Sequence, residues 1–520
     1  MTDQLAESRE AGLQLPPLLL AMCLFAAISV LGVILRPALP IDETRYLTVA
    51  WEMRLSGDWL VPHLNGLTYS HKPPLLFWLI NLIWLVTGPS EIAARLVAPA
   101  FGLASILATA RLAQRLVPAS PDIGGRTALV LAGSLGFSIF AGLTMFDALL
   151  TLATVLGVTA LTNVKTQARA AWLGFGAALA LGALAKGPVI LLHLLPVALA
   201  TPLWAGIGTK QMIKGLALGL LTGLAIVALW LVPALIAGGP EYRHAVLWTQ
   251  SAGRMVDSFA HQKPFWFFLA LAPLLIWPWG WSPTAWRAVR LPGPLPVWIG
   301  ATFVIFSLIS GKQAHYLLPM LPAVAVAFAP ALADARLSMR LAAILPASLL
   351  LVFGAIMLGF GPQEWHAAAE PLAPMLLGSG LVLLALLLVW RGGPNAACAS
   401  ALIALSLSVL FLGRMSEIYD AGPLARRLAP YEAAGIGLVS RSYAGEFGYA
   451  GRLRQPVQLF DRPQDGLDWL ARCPARILAM PIAKAPQAMP PSEVMTFRDQ
   501  TYGLWLSPDP GKQQETEACR

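Results

Sequence analysis

Residues 41–74 read IDETRYLTVAWEMRLSGDWLVPHLNGLTYSHKPP and are the most polar stretch in the first 230 residues of the chain. An apolar run at 16–35, long enough to cross a bilayer as a helix, precedes this stretch, and a shorter apolar run at 73–88 follows it. Because charged side chains are costly inside lipid, we expect the polar stretch to lie at a membrane surface, with a short helix at 43–55. Its density of carboxylates and cations makes it the place where we expect the chemistry.

The composition indicates a polytopic membrane protein. Hydrophobic residues make up 57% of the 520 residues and charged residues only 12%, and the mean hydropathy is +0.66. A soluble globular chain carries roughly 25% charged residues. We therefore predict a mainly α-helical membrane domain at 1–413, followed by a soluble α/β domain at 414–520.

About thirteen membrane-spanning helices are predicted if the run at 73–88 lies along the membrane surface. That run is about 16 residues long and opens with two prolines, so it is at or below the length that a spanning helix needs. The predicted spans are 16–35, 92–116, 127–143, 148–164, 170–185, 189–205, 213–237, 264–281, 295–310, 317–333, 341–360, 375–390 and 396–413.

The loops between these spans separate by charge. One side receives the polar loop, Asp147, Lys186 and the C-terminal tail, while the other side receives most of the cations in short loops. Positively charged short loops face the cytoplasm, so we expect the polar loop and the tail on the outer face. If 73–88 spanned the membrane instead, the polar loop and Asp147 would lie on opposite faces. The cations of the inner side are Arg111, Arg115, Arg126, Lys165, Arg169, Lys210, Lys214, Arg287, Arg290, Arg336, Arg340 and Arg391.

The C-terminal tail has a weak α/β pattern. Short apolar runs at 436–440, 457–460 and 476–480 predict strands, and the stretch 465–473 predicts a helix. Cys473 and Cys519 lie in this tail and would be able to pair if it faces an oxidising compartment, but the sequence does not set the distance between them.

Two carboxylates are candidates for catalysis. Asp42 opens the predicted helix of the polar loop, where Arg45 can reach it across one helical turn. Asp147 lies between two apolar runs, where an ionisable residue is a functional candidate. In each case the alternative is that the aspartate caps the N-terminus of the helix that follows.

Several cations fall on the same predicted face as these carboxylates. Lys72 precedes two prolines, Lys186 ends a span and Arg95 begins one. Such a group suits phosphate or pyrophosphate, which is bound by charge-assisted donors. The alternative is that each side chain reaches toward lipid headgroups, which explains single residues better than their clustering.

Histidines 71, 261 and 315 also fall on this face and, with a carboxylate, would be able to bind zinc. No HExxH spacing supports a metal site, so no cofactor is firmly predicted and zinc at His71 and His261 is an alternative. The sequence has no Walker loop and no dinucleotide-binding glycine pattern after a strand, which argues against a nucleotide donor. The net charge of +9 comes from basic residues in short loops, as expected of a membrane protein, and does not indicate a nucleic-acid partner.

A series of motifs resembles the ArnT-like family of polyprenyl-phosphate-dependent glycosyltransferases, which is related to the protein mannosyltransferases. The resemblance covers about residues 15–330, and the chain departs from it at His71, where Glu is common. The motifs, in order, are DETRY (42–46), GDWLVPHLNG (57–66), YSHKPPL (69–75), SEIAARL (90–96), Asp147, LAKGP (184–188) and GKQAHYLLPMLPA (311–323).

The resemblance implies a GT-C fold in a bacterial inner membrane, with the C-terminal domain in the periplasm. It also implies inverting transfer of a sugar from an undecaprenyl-phosphate-type carrier to an acceptor at the outer face, with 4-amino-4-deoxy-L-arabinose and lipid A as the leading pair. Asp42 would be the main catalytic carboxylate and Asp147 the second. The implied donor-binding residues are Arg45, Tyr46, Tyr69, Lys72, Arg95, Lys186, His261, His315 and Tyr316.

Two alternatives remain at this point. An enzyme of the same class would transfer galacturonic acid, a hexose or mannose to lipopolysaccharide, another glycan or a protein. A lipid or sugar transporter would have a similar number of spans, but it would be expected to show paired repeats and ionisable residues in the middle of spans.

Overall fold

Helices dominate the part of the chain that the structure, a computed structural model, describes. The described residues are 16–248, 262–333, 340–361, 380, 419–440, 443–473, 475–486, 489–498 and 500–507. The helices up to residue 361 are α1 Pro17–Leu35, α2 Asp42–Ser56, α3 Leu75–Thr87, α4 Glu91–Leu116, α5 Ile123–Ala132, α6 Leu135–Phe140, α7 Phe146–Leu161, α8 Ala168–Lys186, α9 Val189–Leu199, α10 Thr201–Trp204, α11 Thr209–Ala237, α12 Gly239–His244, α13 Phe267–Leu275, α14 Pro283–Ala288, α15 Leu295–Leu308, α16 Leu321–Phe328 and α17 Arg340–Met357.

The described residues contain five helical stretches that are long and apolar enough to cross a membrane. They are α1, α4, α8, α11 and the stretch Ala314–Ala333, in which 3-10 turns flank α16. Other predicted spans are interrupted: the span predicted at 127–143 consists of α5 and α6, separated at Gly133 and Ser134. The spans predicted at 375–390 and 396–413 lie outside the described residues. The chain is therefore a multi-pass helical protein, as the composition predicts.

The polar loop forms α2 and a hairpin. α2 ends at Ser56 because Gly57 adopts a left-handed φ of 71° and donates its N–H to the Met53 carbonyl. Strands β1 (His63–Leu64) and β2 (Leu67–Thr68) then pair through Asn65 and Gly66, whose φ angles are 54° and 75°. Two positive φ angles at Asn-Gly are the requirement of a type I′ hairpin turn, so the sequence dictates this fold locally.

The short apolar helix α3 follows the hairpin. It has 13 residues, which extend about 20 Å at a helical rise of about 1.5 Å per residue. A hydrocarbon core is about 30 Å thick. The length of α3 thus favours the interpretation in which it lies along the membrane surface.

Helices α8 and α11 pack closely through glycines. Gly215, Gly219 and Gly223 recur every four residues along α11, and a side chain at Gly215 would overlap the indole of Trp172 on α8. Small residues at this spacing let two membrane helices approach each other. α8 also packs against α7, and this pairing sets the ends of the two helices side by side.

The C-terminal part contains a five-stranded sheet in the order β4-β3-β5-β7-β6. β3 pairs in parallel with β4 and β5, whereas β7 pairs antiparallel with β5 and β6. The three predicted strands and the predicted helix correspond to β3, β4, β5 and α19, and the hairpin β6–β7 was not predicted. The elements are α18 Gly422–Leu428, β3 Ile436–Val439, β4 Gln458–Phe460, α19 Pro463–Arg472, β5 Ile477–Pro481, β6 Glu493–Phe497 and β7 Gln500–Leu506.

Helix α2 is bonded to the C-terminal part. The Thr48 hydroxyl donates to the Gly445 carbonyl at 2.6 Å and accepts from the Tyr449 N–H at 2.9 Å. The Trp51 indole donates to the Leu453 carbonyl at 2.7 Å. These bonds attach the face of α2 that carries Thr48 to chain about 400 residues further on, and so fix the helix that begins with Asp42. Cys473 is buried in this part, but Cys519 lies outside the described residues, so their pairing stays a prediction.

Candidate active site

Asp42 is held by two donors from its own helix and remains accessible. Arg45 Nη2 donates to Asp42 Oδ1 at 2.8 Å and the Tyr46 hydroxyl donates to the same oxygen at 3.0 Å. The Asp42 side chain is nevertheless 43% exposed. The capping alternative is wrong, because α2 begins at Asp42 itself and its N-cap residue, Ile41, forms no side-chain cap. Asp42 is thus an oriented carboxylate that a substrate can reach.

Tyr46 joins this carboxylate to an aromatic wall. Its ring lies edge-on to Phe146 at a centroid distance of 4.7 Å, and Phe77 contacts both rings. Burial and the neighbouring Asp42 carboxylate raise the pKa of Tyr46 well above its usual value of 10.0. The phenol therefore stays protonated and acts as a hydrogen-bond donor to Asp42.

Asp147 lies immediately beyond this wall and is buried. Its side chain is 2% exposed, Lys186 Nζ lies 2.6 Å from its Oδ1, and His315 Nε2 lies 3.8 Å from its Oδ2. The capping alternative is wrong here too, because Met145 precedes the helix and no side-chain cap forms. Asp147 is therefore a buried anion whose charge a lysine neutralises, and it fixes the position of that lysine.

The predicted cations Lys72 and Lys186 face the aromatic wall from two sides. Lys186 Nζ lies 4.8 Å from the ring centre of Tyr316, and Lys72 Nζ lies 5.8 Å from that of Phe146. Lys72 also acts electrostatically on both Asp147 and His315. Residues from four separate parts of the sequence thus meet in one site.

Tyr69 and His71 extend the wall along the polar loop. The Tyr69 ring lies 6.2 Å from that of Phe77 and 5.2 Å from that of His71. His261 lies outside the described residues. Among the residues that the structure describes, no three His, Cys, Asp or Glu side chains come together as a metal site. Zinc binding at His71 and His261 stays an untested prediction.

A charged network that the sequence analysis missed lies behind Asp42. Glu43 is 2% exposed and forms an ion pair with Arg36. It also accepts from the Leu39 N–H at 2.9 Å and from the Thr144 N–H at 2.8 Å. Burial raises the pKa of Glu43. Arg36 and the hydrogen bonds lower the pKa by a larger amount, so that its net value is about 2. Glu43 is therefore a permanent anion that joins α2 to the segment preceding Asp147.

Arg95 belongs to this network rather than to the cluster around Lys186. Its side chain is 2% exposed, and Nη1 donates to the Arg36 carbonyl at 2.8 Å and to Glu91 Oε1 at 2.9 Å. The structure thus places Arg95 beside Arg36, Glu91 and Glu43. The only sequence signal for this network was the adjacency of two acidic residues at 42–43, seven positions after Arg36.

The cluster has more positive than negative charge. Three cations, Arg45, Lys72 and Lys186, face two carboxylates, Asp42 and Asp147. The surplus of one positive charge, three minus two, suits an anionic ligand, and charge-assisted donors of this kind bind phosphate groups. The arrangement can therefore hold a phosphate beside an accessible carboxylate, a combination that group transfer from a phosphorylated carrier requires.

Comparison with known proteins agrees with this geometry. A family profile described as dolichyl-phosphate-mannose-protein mannosyltransferase matches residues 71–232. The chain is 32% identical to the undecaprenyl phosphate-alpha-4-amino-4-deoxy-L-arabinose arabinosyl transferase 2 of Pseudomonas fluorescens, over 56% of this chain and 52% of that protein. It is 31% identical to the corresponding enzyme of Pseudomonas aeruginosa, over 64% of this chain and 62% of that protein. The chain thus spans between half and two thirds of the relatives it matches.

The fold resembles that of solved membrane glycosyltransferases. The crystal structure of ArnT from Cupriavidus metallidurans bound to undecaprenyl phosphate superposes with a TM-score of 0.76, at 20% identity, over 94% of this chain and 97% of that one. The archaeal oligosaccharyltransferase AglB from Archaeoglobus fulgidus superposes with a TM-score of 0.52 at 12% identity, over 89% of this chain and 69% of that one. At such identities the likeness establishes the fold, and the sequence similarity extends over little more than half of the chain. The chain is thus similar in sequence to these arabinosyl transferases and shares the fold of ArnT.

Proposed function

We propose that this protein transfers 4-amino-4-deoxy-L-arabinose from an undecaprenyl-phosphate-type carrier to lipid A at the periplasmic face of a bacterial inner membrane. The observation that carries the proposal is the accessible Asp42 carboxylate, which acts on His315 together with Lys72, Lys186 and Asp147. The names of the similar enzymes supply the sugar and the carrier. Lipid A as the acceptor rests on the resemblance of the motifs.

The proposed reaction is a single displacement with inversion. An oxygen of the acceptor attacks the anomeric carbon and forms a new C–O bond, while the bond from that carbon to the carrier phosphate breaks. The electron pair of the broken bond stays on the polyprenyl phosphate. If the acceptor is a hydroxyl, Asp42 takes its proton as a general base. If the acceptor is a phosphate, which is already anionic, Asp42 orients the reacting groups instead.

The cations stabilise the charge that develops on the leaving phosphate. Fixed charges directed at the place where charge accumulates in the transition state lower the barrier without reorganising. Lys72 and Lys186 have this role, and Asp147 acts through Lys186 because its carboxylate is buried and already paired with that lysine at 2.6 Å. Arg45, Tyr46, Tyr69, His315 and Tyr316 complete the donor site.

The proposal includes the finer topology. It comprises thirteen spans, a boundary between membrane and soluble domains at 413/414 and a periplasmic C-terminal domain, and the bonds between α2 and residues 445–453 support only the shared side of α2 and that domain. Those bonds require α2 and the C-terminal sheet to be on the same side of the membrane. The boundary itself lies outside the described residues.

The proposal is tested by transfer assays on the full chain in detergent. The donors are labelled polyprenyl-phosphate sugars that include 4-amino-4-deoxy-L-arabinose, galacturonic acid, a hexose and mannose, with lipid A as the acceptor. Label that moves from the aminoarabinose donor to lipid A supports the proposal. Transfer of another sugar, or transfer to another acceptor, would change the substrates in the proposal and leave the reaction class unchanged.

The transporter alternative is distinguished in the same assay. If no carrier is turned over, and the Asp42→Asn variant behaves as the wild type does, the enzyme proposal is wrong. The described ionisable cluster lies at the ends of helices, since Asp147 is near the start of α7 and Lys186 ends α8. This position favours an interfacial enzyme over a transporter with a binding site in the middle of the membrane.

A further inference from the structure

A second charged cavity lies at the end of α8 that is remote from the active site. Lys186 ends α8 and pairs with Asp147, whereas Arg169 lies in its first turn. The 17 residue steps from Arg169 to Lys186 extend about 26 Å at about 1.5 Å per residue. This distance approaches the thickness of a hydrocarbon core, about 30 Å. The cavity therefore opens at the opposite membrane face from Asp42.

The cavity has a volume of about 520 Å³ and is lined by both charged and apolar groups. Arg169, Lys210 and Lys214 supply three exposed cations, while Trp172, Gly215 and Leu218 supply apolar wall. A fourth cation, Lys165, lies against Gly206 in the connection that precedes α11. Among the described residues, no carboxylate forms an ion pair with any of these four cations. The cavity thus carries uncompensated positive charge.

The inner wall also contains an unpaired donor. Trp172 is 2% exposed, and its indole Nε1 has no hydrogen-bond partner. This nitrogen lies against Gly215, which lines the same cavity. The residue before α11 is Gly208, which has no side chain to cap the helix, so the N–H groups of the first turn also face this region. The cations and the free N–H groups at the start of α11 favour an anionic ligand, whereas the Trp172 nitrogen is covered by Gly215 and cannot reach it.

The lipid-facing side of α11 indicates which class of anion the cavity would bind. Along this helix, Ile213, Leu221 and Leu224 are each 58–64% exposed, and such a surface in a membrane-spanning helix contacts lipid chains. An anion that binds next to an apolar helix face, at the membrane boundary, is best matched by a molecule with both an anionic head and an apolar tail. Basic pockets between membrane helices bind anionic phospholipid headgroups in this way.

We propose that this cavity binds the phosphate headgroup of an anionic phospholipid whose acyl chains lie along α11. Arg169, Lys210 and Lys214 contact the phosphate, and Trp172 and Leu218 contact the glycerol and the first methylenes. The site is separate from the donor site and takes no part in sugar transfer. It anchors the α8–α11 pair, whose other end carries Lys186.

The test uses the purified full chain and native mass spectrometry. Binding of dioleoyl phosphatidylglycerol is compared with that of dioleoyl phosphatidylcholine, for the wild type and for the triple variant Arg169→Gln/Lys210→Gln/Lys214→Gln. Each cation near a lipid surface is worth about fivefold in affinity, so the triple variant should lose about a hundredfold for phosphatidylglycerol. Binding of phosphatidylcholine should not change.

A matched control removes the same charge from the same face. Arg111→Gln/Arg115→Gln/Arg287→Gln alters three exposed arginines outside the cavity and should retain phosphatidylglycerol binding. Equal losses of phosphatidylglycerol affinity in the two triple variants would show that the lipid responds to general surface charge, and would overturn the proposal. Inorganic phosphate that binds as tightly as the lipid, with no preference between the two lipids, would identify a free-anion site and also overturn it. If the triple variant is not monodisperse, the single variant Lys214→Gln decides, with an expected loss of about fivefold.

Discussion

Glu43 accepts a hydrogen bond from the backbone N–H of Thr144 at 2.8 Å, across 101 positions of sequence. Glu43 directly follows Asp42, and Thr144 lies three residues before Asp147. One buried carboxylate therefore sets the spacing of the two candidate catalytic aspartates. Arg36 pairs with that carboxylate, so the buried anion has a counter-charge, and removing either partner would leave an unpaired buried charge.

We predict that Asp42→Asn reduces sugar transfer by about 100- to 10,000-fold, the usual contribution of a general base, if the acceptor is a hydroxyl. The variant should elute as the wild type does in size-exclusion chromatography, because the Asn amide oxygen still accepts from Arg45 and Tyr46. Asp58→Asn is the matched control: Asp58 lies in the same polar loop, accepts from the Leu60 and Val61 N–H groups, and has no contact with Lys186. Near-normal transfer by Asp42→Asn would remove Asp42 from the mechanism.

We predict that Lys186→Met destabilises the protein by about 3–5 kcal/mol, because it removes the one cation that pairs directly with the buried Asp147 carboxylate, at 2.6 Å. The double variant Asp147→Asn/Lys186→Met should recover part of that loss, since it removes the unpaired charge. The measurement is thermal unfolding in detergent for the wild type, both single variants and the double variant. A double variant whose loss equals the sum of the single losses would show that the pair is not coupled.

Acid should destabilise the protein through Glu43. Its pKa is about 2 in the folded chain against 4.5 for an unperturbed carboxyl. A lowered pKa contributes stability that is present above pH 4.5 and is lost as the pH falls toward about 2, here roughly 3 kcal/mol. Glu43→Gln should flatten the dependence of unfolding on pH in this window and lower the stability at neutral pH.

Glu52 provides a control with the opposite sign on the same helix. Burial raises the pKa of this carboxyl, although hydrogen bonds from Gly66 and Asn65 lower it in part. A raised pKa contributes stability at low pH that is lost as the pH rises. Glu52→Gln should therefore leave the acid-induced loss intact; a loss of that dependence in Glu52→Gln, with none in Glu43→Gln, would contradict the assignment.

We predict that Thr48→Val loosens the C-terminal sheet from α2. The substitution keeps the shape but leaves the Gly445 carbonyl and the Tyr449 N–H without their partner. An unsatisfied buried group costs about 1–3 kcal/mol. Limited proteolysis should release the C-terminal part faster than in wild type. Thr68→Val, at an exposed position of β2, should leave the cleavage rate unchanged, and equal rates for the two variants would place the contact elsewhere.

Local sequence patterns were sufficient to predict several of the helices. Apolar runs placed α1, α4 and α11 within a few residues of their observed bounds, and Asn65-Gly66 specified a hairpin turn. The apolar runs failed to predict an interrupted span, such as the break at Gly133 and Ser134. The hydropathy of a run does not indicate whether the helical hydrogen bonds of its backbone are continuous. The hairpin β6–β7 was missed because its alternation of buried and exposed residues is visible only against the strand that it pairs with.

The sequence by itself determined that this is a helical membrane protein with a polar loop at the surface, since hydropathy and charge act through the solvent and need no partner. It also placed Asp42, Lys72, Asp147 and Lys186 on one face through the alternation of loops. Only the tertiary structure decided that Lys186 neutralises Asp147, that Asp42 remains accessible and that Glu43 ties the two segments together. The physical reason is that an ion pair or a hydrogen bond depends on distances of a few ångströms between residues far apart in the chain, and these distances are set by helix packing rather than by the local pattern of residues.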